Sequence, residues 1–193
     1  MPPKNKFSRD QIVEAAFAIA ETEGIDRVTI RKVAEQLGSS IAPIYVNFTD
    51  VEALKQAVIQ KIVEISQRLL AEETSRSPFA NIGVASLHFA KTYPILFKDF
   101  VMNQNDYLHD YDEGMGDLLI EQMKTDPDLQ GFSNEELQDI LFKMRTFQIG
   151  FSIMVANELT EASFDMEKMI RIMDSTAEDV VSAARLRKGE RGI

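Results

Sequence analysis

The chain has 193 residues with a formal net charge of −10 and an isoelectric point near 4.7, and its hydrophobic fraction of 45% is enough to bury a substantial core. The absence of cysteine excludes disulfides, thiolate metal sites and cysteine redox sensing. No apolar run reaches the roughly 20 residues that span a membrane, and the charged N terminus does not resemble a signal peptide, so we expect a cytoplasmic protein.

The first predicted helix begins after Ser8, a favourable N-cap residue, and ends at Gly24. Its apolar residues recur at helical spacing and form one face: Ile12, Ala15, Ala16 and Ile19. An amphipathic helix of this kind needs a core to cover its apolar face.

Residues 29–48 contain an amphipathic helix, a glycine turn and a short helix that ends in a Tyr-x-x-Phe pattern. Gly38 suits the left-handed position that ends a helix, and Ser39 or Ser40 can cap the next one. Pro43 is tolerated in the first helical turn, where its missing N–H has no intrahelical partner to lose. This spacing predicts a helix-turn-helix, whose second helix fits the DNA major groove, although a plain αα-hairpin would show the same pattern.

With these flanks, about 50 residues at the N terminus resemble the DNA-binding domain of the TetR family of transcriptional regulators. The matching positions are Ile12, Ala15, Ala16, Phe17, Gly24, Thr29, Val33, Ala34, Gly38, Ser40, Ile44, Tyr45, Phe48 and Leu54. The resemblance implies an all-α fold of about nine helices, with a three-helix DNA-binding domain at 1–49 and a helical ligand-binding and dimerisation domain at 50–193.

Beyond the DNA-binding region the sequence pattern predicts helices and no sheet. Asp50 is a favourable cap for the first of these helices, and prolines or capping residues explain the breaks between them. The predicted spans are 50–73, 79–92, 94–104, 107–125, 134–159 and 164–188.

The resemblance implies a set of DNA-binding residues in the N-terminal arm, the second and third helices and the start of the fourth. They are Lys4, Lys6, Thr29, Arg31, Lys32, Ser40, Ile41, Ala42, Pro43, Tyr45, Val46, Asn47 and Lys55. Thr29 and Tyr45 are expected to contact phosphates, and Ser40 and Asn47 are the polar side chains available to read bases.

The match to the family departs at Ile41, where a polar or basic residue is common, at Val46, where a basic residue is common, and at Val51, where a lysine is common. Lys55, one helical turn after Val51, is the expected substitute for that lysine. Arg31 and Lys32 would supply electrostatic support, although a solvated helix face is an equal alternative. Residues 1–60 are nearly neutral, so we expect a modest DNA affinity that depends strongly on salt.

The helix predicted at 134–159 is apolar on more than one side, which favours burial against several neighbours. In the TetR family the last two helices pair with those of a second subunit in a four-helix bundle, and the helices at 134–159 and 164–188 match them by position. We therefore expect a homodimer. Its predicted seam on the last helix is Ile170, Met173, Ala177 and Val181.

Candidate ligand-binding residues are aromatic, methionine, histidine and arginine side chains of the middle and late helices: His88, Tyr93, Met102, Tyr107, His109, Tyr111, Met115, Arg145, Phe147 and Phe151. Ordinary core packing is the alternative for most of them. Arg145 would bind an anionic effector or, as we favour, pair with an acidic neighbour. The acidic run at 106–117 would bind a cationic aromatic ligand or form a solvated loop.

These features favour a transcriptional repressor that binds an inverted-repeat operator in double-stranded DNA as a homodimer and is released by an unknown small-molecule effector. The alternative is an all-α dimeric protein-interaction module with a degenerate DNA-binding domain. An enzyme is not expected, because His88 and His109 form no nucleophile–base, zinc or phosphate-loop pattern. No cofactor, metal or membrane partner is expected.

Overall fold

The computed structural model describes residues 7–74, 77–102, 109–157, 159 and 165–190. Within these ranges the chain forms helices and no β-strand, which confirms the all-α prediction. The nine α-helices of the described residues are α1 (Arg9–Glu23), α2 (Ile30–Gln36), α3 (Ala42–Tyr45), α4 (Val51–Glu72), α5 (Pro78–Thr92), α6 (Pro94–Met102), α7 (His109–Lys124), α8 (Asn134–Ala156) and α9 (Met166–Glu190). Short 3-10 turns occur at Ile25–Arg27 and Pro127–Leu129.

Local capping chemistry fixes where several helices begin, as the sequence predicts. Before α1, the Ser8 hydroxyl accepts the Gln11 N–H at 3.2 Å and the Gln11 side chain accepts the Ser8 N–H at 2.9 Å, which is a capping box. Before α4, an oxygen of Asp50 accepts the Ala53 N–H at 2.8 Å. Each bond satisfies a backbone N–H that has no partner inside the helix.

The described residues form two compact units. The first takes its residues from Met1–Gln67 and Tyr93–Tyr107, and the second from Arg68–Thr92 and Leu108–Ile193. The first unit therefore includes most of α4 and all of α6 in addition to the three N-terminal helices. The boundaries of these compact units differ from those of the domains expected at 1–49 and 50–193. The expected domains are defined by function, and they remain a prediction.

The core of the first unit is built from the apolar faces that the sequence pattern indicates. Its fully buried residues include Ile12, Ile25, Val33, Ile44, Leu54, Ile62 and Leu96. They come from α1, the Ile25–Arg27 turn, α2, α3, α4 and α6, so the short helix α3 is held against the unit by Ile44 while its other side stays exposed.

The second unit is built around the pair α5 and α8, with α7 and α9 packed against them. Asp126, almost completely buried, organises the chain between α7 and α8: its two oxygens accept the Phe79 N–H at 3.0 Å and the Asp128 N–H at 2.9 Å. The first of these bonds satisfies a backbone N–H in the first turn of α5, and thus joins two segments 47 positions apart.

The row on α9 that the sequence predicts as a dimer seam packs on the core of its own unit, and its part in a dimer stays a prediction. Met173 is buried in that core, and Ile170, Ala177 and Val181 are partly buried against it. The spacing correctly indicates an apolar face, which the core of the same chain covers in part. Among the described residues, no helix combines the length and the apolar character needed to cross a membrane.

Candidate DNA-binding surface and regulatory cavities

Helix α2 is preceded by Thr29, whose hydroxyl can both accept and donate a hydrogen bond. The Oγ1 atom of Thr29 accepts the Lys32 N–H at 3.2 Å and caps the helix. A hydroxyl that accepts one bond still holds its own hydrogen, which it can donate to a phosphate oxygen. Thr29 is exposed, so capping and a phosphate contact are compatible.

A Schellman turn ends α2 and sets the course of the chain into α3. Gly38 has a φ of +58°, the Gly38 N–H donates to the Glu35 carbonyl at 3.0 Å, and the Ser39 N–H donates to the Ala34 carbonyl at 2.9 Å. The left-handed conformation predicted for Gly38 is therefore present.

The cap predicted at Ser39 or Ser40 is wrong. The residue before α3 is Ile41, whose backbone is already in the helical region, and no side chain caps the helix. Pro43 lies in the first turn, where the missing N–H is tolerated. Ser40 is exposed and stays available for other contacts.

Helix α3 and its two flanking residues, Ile41 and Val46, present an exposed face that is mostly apolar. Ile41, Tyr45 and Val46 are 47%, 53% and 62% exposed, and Ala42 is exposed beside them. On the opposite side, Ile44 is completely buried. The hydrophobic core thus orients α3 so that these four side chains point into solvent, as expected for a recognition helix.

Asn47, one of the two polar readers predicted for this helix, is turned back onto its own chain. Its side-chain nitrogen donates to the Pro43 carbonyl oxygen at 3.0 Å, and the residue is half-buried. This bond fixes the amide at the C-terminal end of α3 instead of leaving it free to reach a base.

Among the described residues of the first unit, four ion pairs engage cations. They join Arg31 to Glu35, Lys32 to Glu23, Lys55 to Glu52 and Lys61 to Glu14. The Arg31 pair, at 3.1 Å, is well exposed and the Lys32 pair, at 2.5 Å, is partly exposed, so phosphate groups can compete for these cations. Each such exchange would release a carboxylate close to the DNA backbone, which reduces the electrostatic gain.

Lys55 is poorly placed for the role of substitute phosphate clamp. Its side chain is only 13% exposed and lies 3.7 Å from a carboxylate oxygen of Glu52 in the preceding turn. Lys4 and Lys6, which precede α1, lie outside the described residues.

The predicted ligand-binding residues divide between the two units. Tyr93 lies in the first unit, where its ring packs edge-on against Phe17 with a centroid distance of 6.0 Å. His88 lies in the second unit, and its Nδ1 atom is 2.9 Å from a carboxylate oxygen of Glu73. Tyr107 lies outside the described residues. The structure describes the helical backbone, but not the side chains, of Met102, His109, Tyr111 and Met115.

Three other candidates lie on α8 within the second unit. Phe147 and Phe151 stack on each other with a centroid distance of 5.7 Å, and Phe151 is buried in the core. Arg145 is half-buried and lines a small cavity of about 20 Å³ together with Asp174, as well as a groove of about 440 Å³ between α7 and α8 together with Asp117. Carboxylates therefore line both spaces that Arg145 borders.

Sequence reasoning missed two polar residues on the same helix. Gln148 is nine-tenths buried and lines the small cavity, and Ser152 is completely buried with no hydrogen-bond partner for its Oγ atom within the described structure. Their spacing from Arg145, at i+3 and i+7, puts all three on one face of α8 and was the available signal. Among the described residues no cluster of histidine, aspartate and glutamate could hold a metal ion.

The second unit also has a larger groove of about 560 Å³, bordered by the start of α5, the Pro127–Leu129 turn and α9. Its walls include the acidic residues Asp126, Asp128, Asp174 and Glu178. Arg185 crosses this region, donating to the Asp128 carbonyl oxygen and lying 5.1 Å from the centre of the Phe132 ring.

Large apolar side chains on α8 and α9 remain exposed. Phe142 and Met154 on α8 are 72% and 44% exposed, and Leu186 on α9 is 70% exposed. Isolated exposed apolar residues are common, but phenylalanine and leucine with most of their surface in water favour an interface that covers them.

Comparison with known proteins gives matches over the N-terminal region and over the fold. Residues 12–58 match the model of the family described as bacterial regulatory proteins, tetR family. Over 59 residues the chain is 36% identical to an uncharacterised HTH-type transcriptional regulator of Mycobacterium tuberculosis, a match that spans 31% of this chain and 27% of that relative.

Two solved structures show the same fold over nearly the whole chain. SmeT, the repressor of the Stenotrophomonas maltophilia multidrug efflux pump SmeDEF, is 14% identical with a TM-score of 0.65 and covers 93% of this chain and 91% of its own. A TetR protein of Acinetobacter baumannii in complex with minocycline is 18% identical with a TM-score of 0.60 and covers 94% of this chain and 99% of its own. At these identities the likeness concerns the fold alone.

Proposed function

We propose that the chain, whose residues 12–58 match the model of the tetR family, represses transcription by binding an inverted-repeat operator as a homodimer. The observation that supports this most directly is the geometry of residues 29–48. A capped α2, a Schellman turn at Gly38 and the exposed face of α3 form a helix-turn-helix with its second helix facing solvent. We place its action in the cytoplasm.

The homodimer is supported by the exposed apolar residues of α8 and α9. Phe142 and Leu186 would lose most of their exposed area in an interface, and burial of apolar surface contributes roughly 25 cal/mol per Å². A two-fold dimer requires two DNA half-sites in inverted orientation, with a spacing of about one helical turn or a multiple of it.

The effector is proposed to be a small molecule that binds in the second unit. SmeT is by name a repressor of an efflux pump, and the Acinetobacter protein was solved with minocycline, so the shared fold is compatible with both repression and ligand binding. In this chain, the polar face of α8 formed by the half-buried Arg145 and the buried Gln148 and Ser152 offers hydrogen-bonding groups to such a ligand.

The second candidate function is a dimeric protein-interaction module whose DNA-binding domain is degenerate. The ion pairs of Arg31, Lys32 and Lys55 favour it, because paired cations attract DNA less than free ones.

Footprinting of the DNA upstream of the protein's own gene separates the two functions. The repressor predicts protection of an inverted repeat by a dimer, and loss of that protection in the presence of one member of a small-molecule panel. A protein that leaves every upstream sequence unprotected at low salt, while still forming a dimer, would support the interaction module.

A further inference from the structure

The exposed face of α3 has a chemical character that restricts which bases it can recognise. Ile41, Ala42 and Val46 have no hydrogen-bonding side chain, and all three are exposed. We call these three residues the apolar reading face. In the major groove, most base-pair edges present donors and acceptors, and the C5-methyl group of thymine is the apolar feature.

Of the two polar side chains predicted to read bases, Ser40 lies before α3 and is exposed, so it can contact one base edge, whereas Asn47 does not offset the apolar character. The Asn47 amide is held by the Pro43 carbonyl at 3.0 Å, at the far end of α3. The phenol of Tyr45 is next to the apolar reading face and is proposed to contact a phosphate. An exposed donor or acceptor of a guanine or cytosine edge would therefore meet aliphatic carbon and lose its water without compensation.

The ion pairs of α2 increase the share of the DNA affinity that these apolar contacts have to supply. Arg31 and Lys32, the cations of α2, are already paired with Glu35 and Glu23. Because phosphate contacts supply the sequence-independent part of DNA affinity, their weakening leaves the base contacts to supply a larger share.

We propose that Ile41, Ala42 and Val46 read thymine methyl groups, so that each operator half-site is defined by T·A pairs at the positions that face α3. This inference rests on the proposed DNA binding and specifies its sequence class. A valine or isoleucine side chain packed against a methyl group excludes water from both, whereas the same side chain against a cytosine edge strands the N4 donor.

The test begins with selection of duplexes from a random pool by the full-length protein, followed by replacement of thymidine with deoxyuridine in the enriched half-site. This change removes only the methyl group and keeps the pairing. We expect a loss of about fourfold in affinity for each methyl that is contacted, since a methyl group is worth close to one buried CH₂. Replacement of a contacted T·A pair by 5-methylcytosine·G should retain more affinity than replacement by cytosine·G.

Val46→Ala provides the matched protein variant, because Val46 is exposed and its truncation leaves the core intact. If Val46 contacts a thymine methyl, the deoxyuridine effect at that position should nearly vanish in Val46→Ala and persist in Lys61→Ala, a change on α4 outside α3. Equal affinity for the thymidine and deoxyuridine duplexes, or enrichment of G-rich half-sites, would overturn the inference while leaving DNA binding established. Failure of the pool to enrich at all would instead refute the proposed function.

Discussion

The backbone N–H of Ile25 donates a hydrogen bond to the Asp99 carboxylate at 2.8 Å, joining the turn after α1 to α6 across 74 positions of sequence. Gly24 precedes this bond with a φ of +96°, and a Cβ atom added there would lie 2.7 Å from the same carboxylate oxygen. The turn that leads into the helix-turn-helix is therefore held by a side chain from a distant helix and requires glycine at its closest approach.

Asp99→Ala should destabilise the N-terminal unit by about 1–3 kcal/mol, because Ile25 is buried and its N–H loses its acceptor. Asp99→Asn keeps an oxygen that can accept the bond and should cost less. Urea denaturation of the full chain measures both. Equal destabilisation by the two variants would show that the charge of Asp99, rather than its acceptor for Ile25, is what matters.

Glu23→Gln should tighten DNA binding at low salt and make it more sensitive to salt. The change frees Lys32 from its carboxylate partner, and each additional phosphate neutralised raises the slope of log affinity against log salt by about 0.9. Glu64→Gln on α4 is the control, since it alters the net charge equally without touching this ion pair. Identical slopes for the two variants would contradict the assignment of Lys32 to the DNA surface.

Tyr45→Phe should weaken operator binding by about 1.5–3 kcal/mol per contact, the usual contribution of a hydrogen bond to a charged group. The side chain is 53% exposed, so loss of the hydroxyl should leave the melting temperature unchanged. Fluorescence anisotropy with a labelled operator measures the affinity, and light scattering checks that the dimer persists. Unchanged affinity would remove Tyr45 from the phosphate contacts.

Phe142→Glu should convert the proposed dimer into a folded monomer. A carboxylate at this 72% exposed position costs the isolated chain little but would be buried without a partner in an α8–α9 interface. Size-exclusion chromatography with light scattering measures the mass, and Lys143→Ala, at the next position on α8, is the control. A Phe142→Glu protein that stays dimeric would place the interface elsewhere.

The start of α8 should show a pH-dependent contribution to stability. Hydrogen bonds from Lys188 and from the Ser133 backbone lower the pKa of Glu136 below its usual value of 4.5. Because the folded pKa is the lower one, the stabilisation is complete above the unfolded value and is lost as pH falls through the folded value. Carboxyl NMR titration measures the pKa directly.

Glu136→Gln should therefore lower the melting temperature at neutral pH, with a difference from the parent protein that vanishes in acid. Glu135→Gln removes the same charge one residue earlier and serves as the control. A melting difference for Glu136→Gln that stayed constant down to strongly acidic pH would contradict the role of its ionised form.

Much of the fold could be predicted from local sequence, because the signals that begin and end these helices are local. Ser8, Gly38 and Asp50 act within three or four residues of themselves, and their side-chain or backbone requirements can be recognised in the sequence. The cap expected at Ser39 or Ser40 is absent because Ile41, the residue before α3, already has helical backbone angles. No side-chain pattern in the sequence indicates those angles.

Contacts between distant segments could not be predicted. The periodicity of α9 shows that Met173 and Val181 share an apolar face, but it does not say which helix covers that face. The pairing of Lys32 with Glu23 and the docking of Asp99 on Ile25 likewise depend on how helices are arranged in space. The sequence therefore names candidate residues for a DNA surface but does not indicate how their charges are paired.

The paired cations of α2 also bear on how the protein would find its operator on a chromosome. Sliding along non-specific duplex depends on phosphate contacts, and a domain whose Arg31 and Lys32 are held by its own carboxylates would dissociate quickly from such sequences. Target search would then proceed mainly by repeated three-dimensional encounters, with little protein sequestered on the rest of the genome. Operator occupancy would accordingly follow the number of free dimers per cell closely.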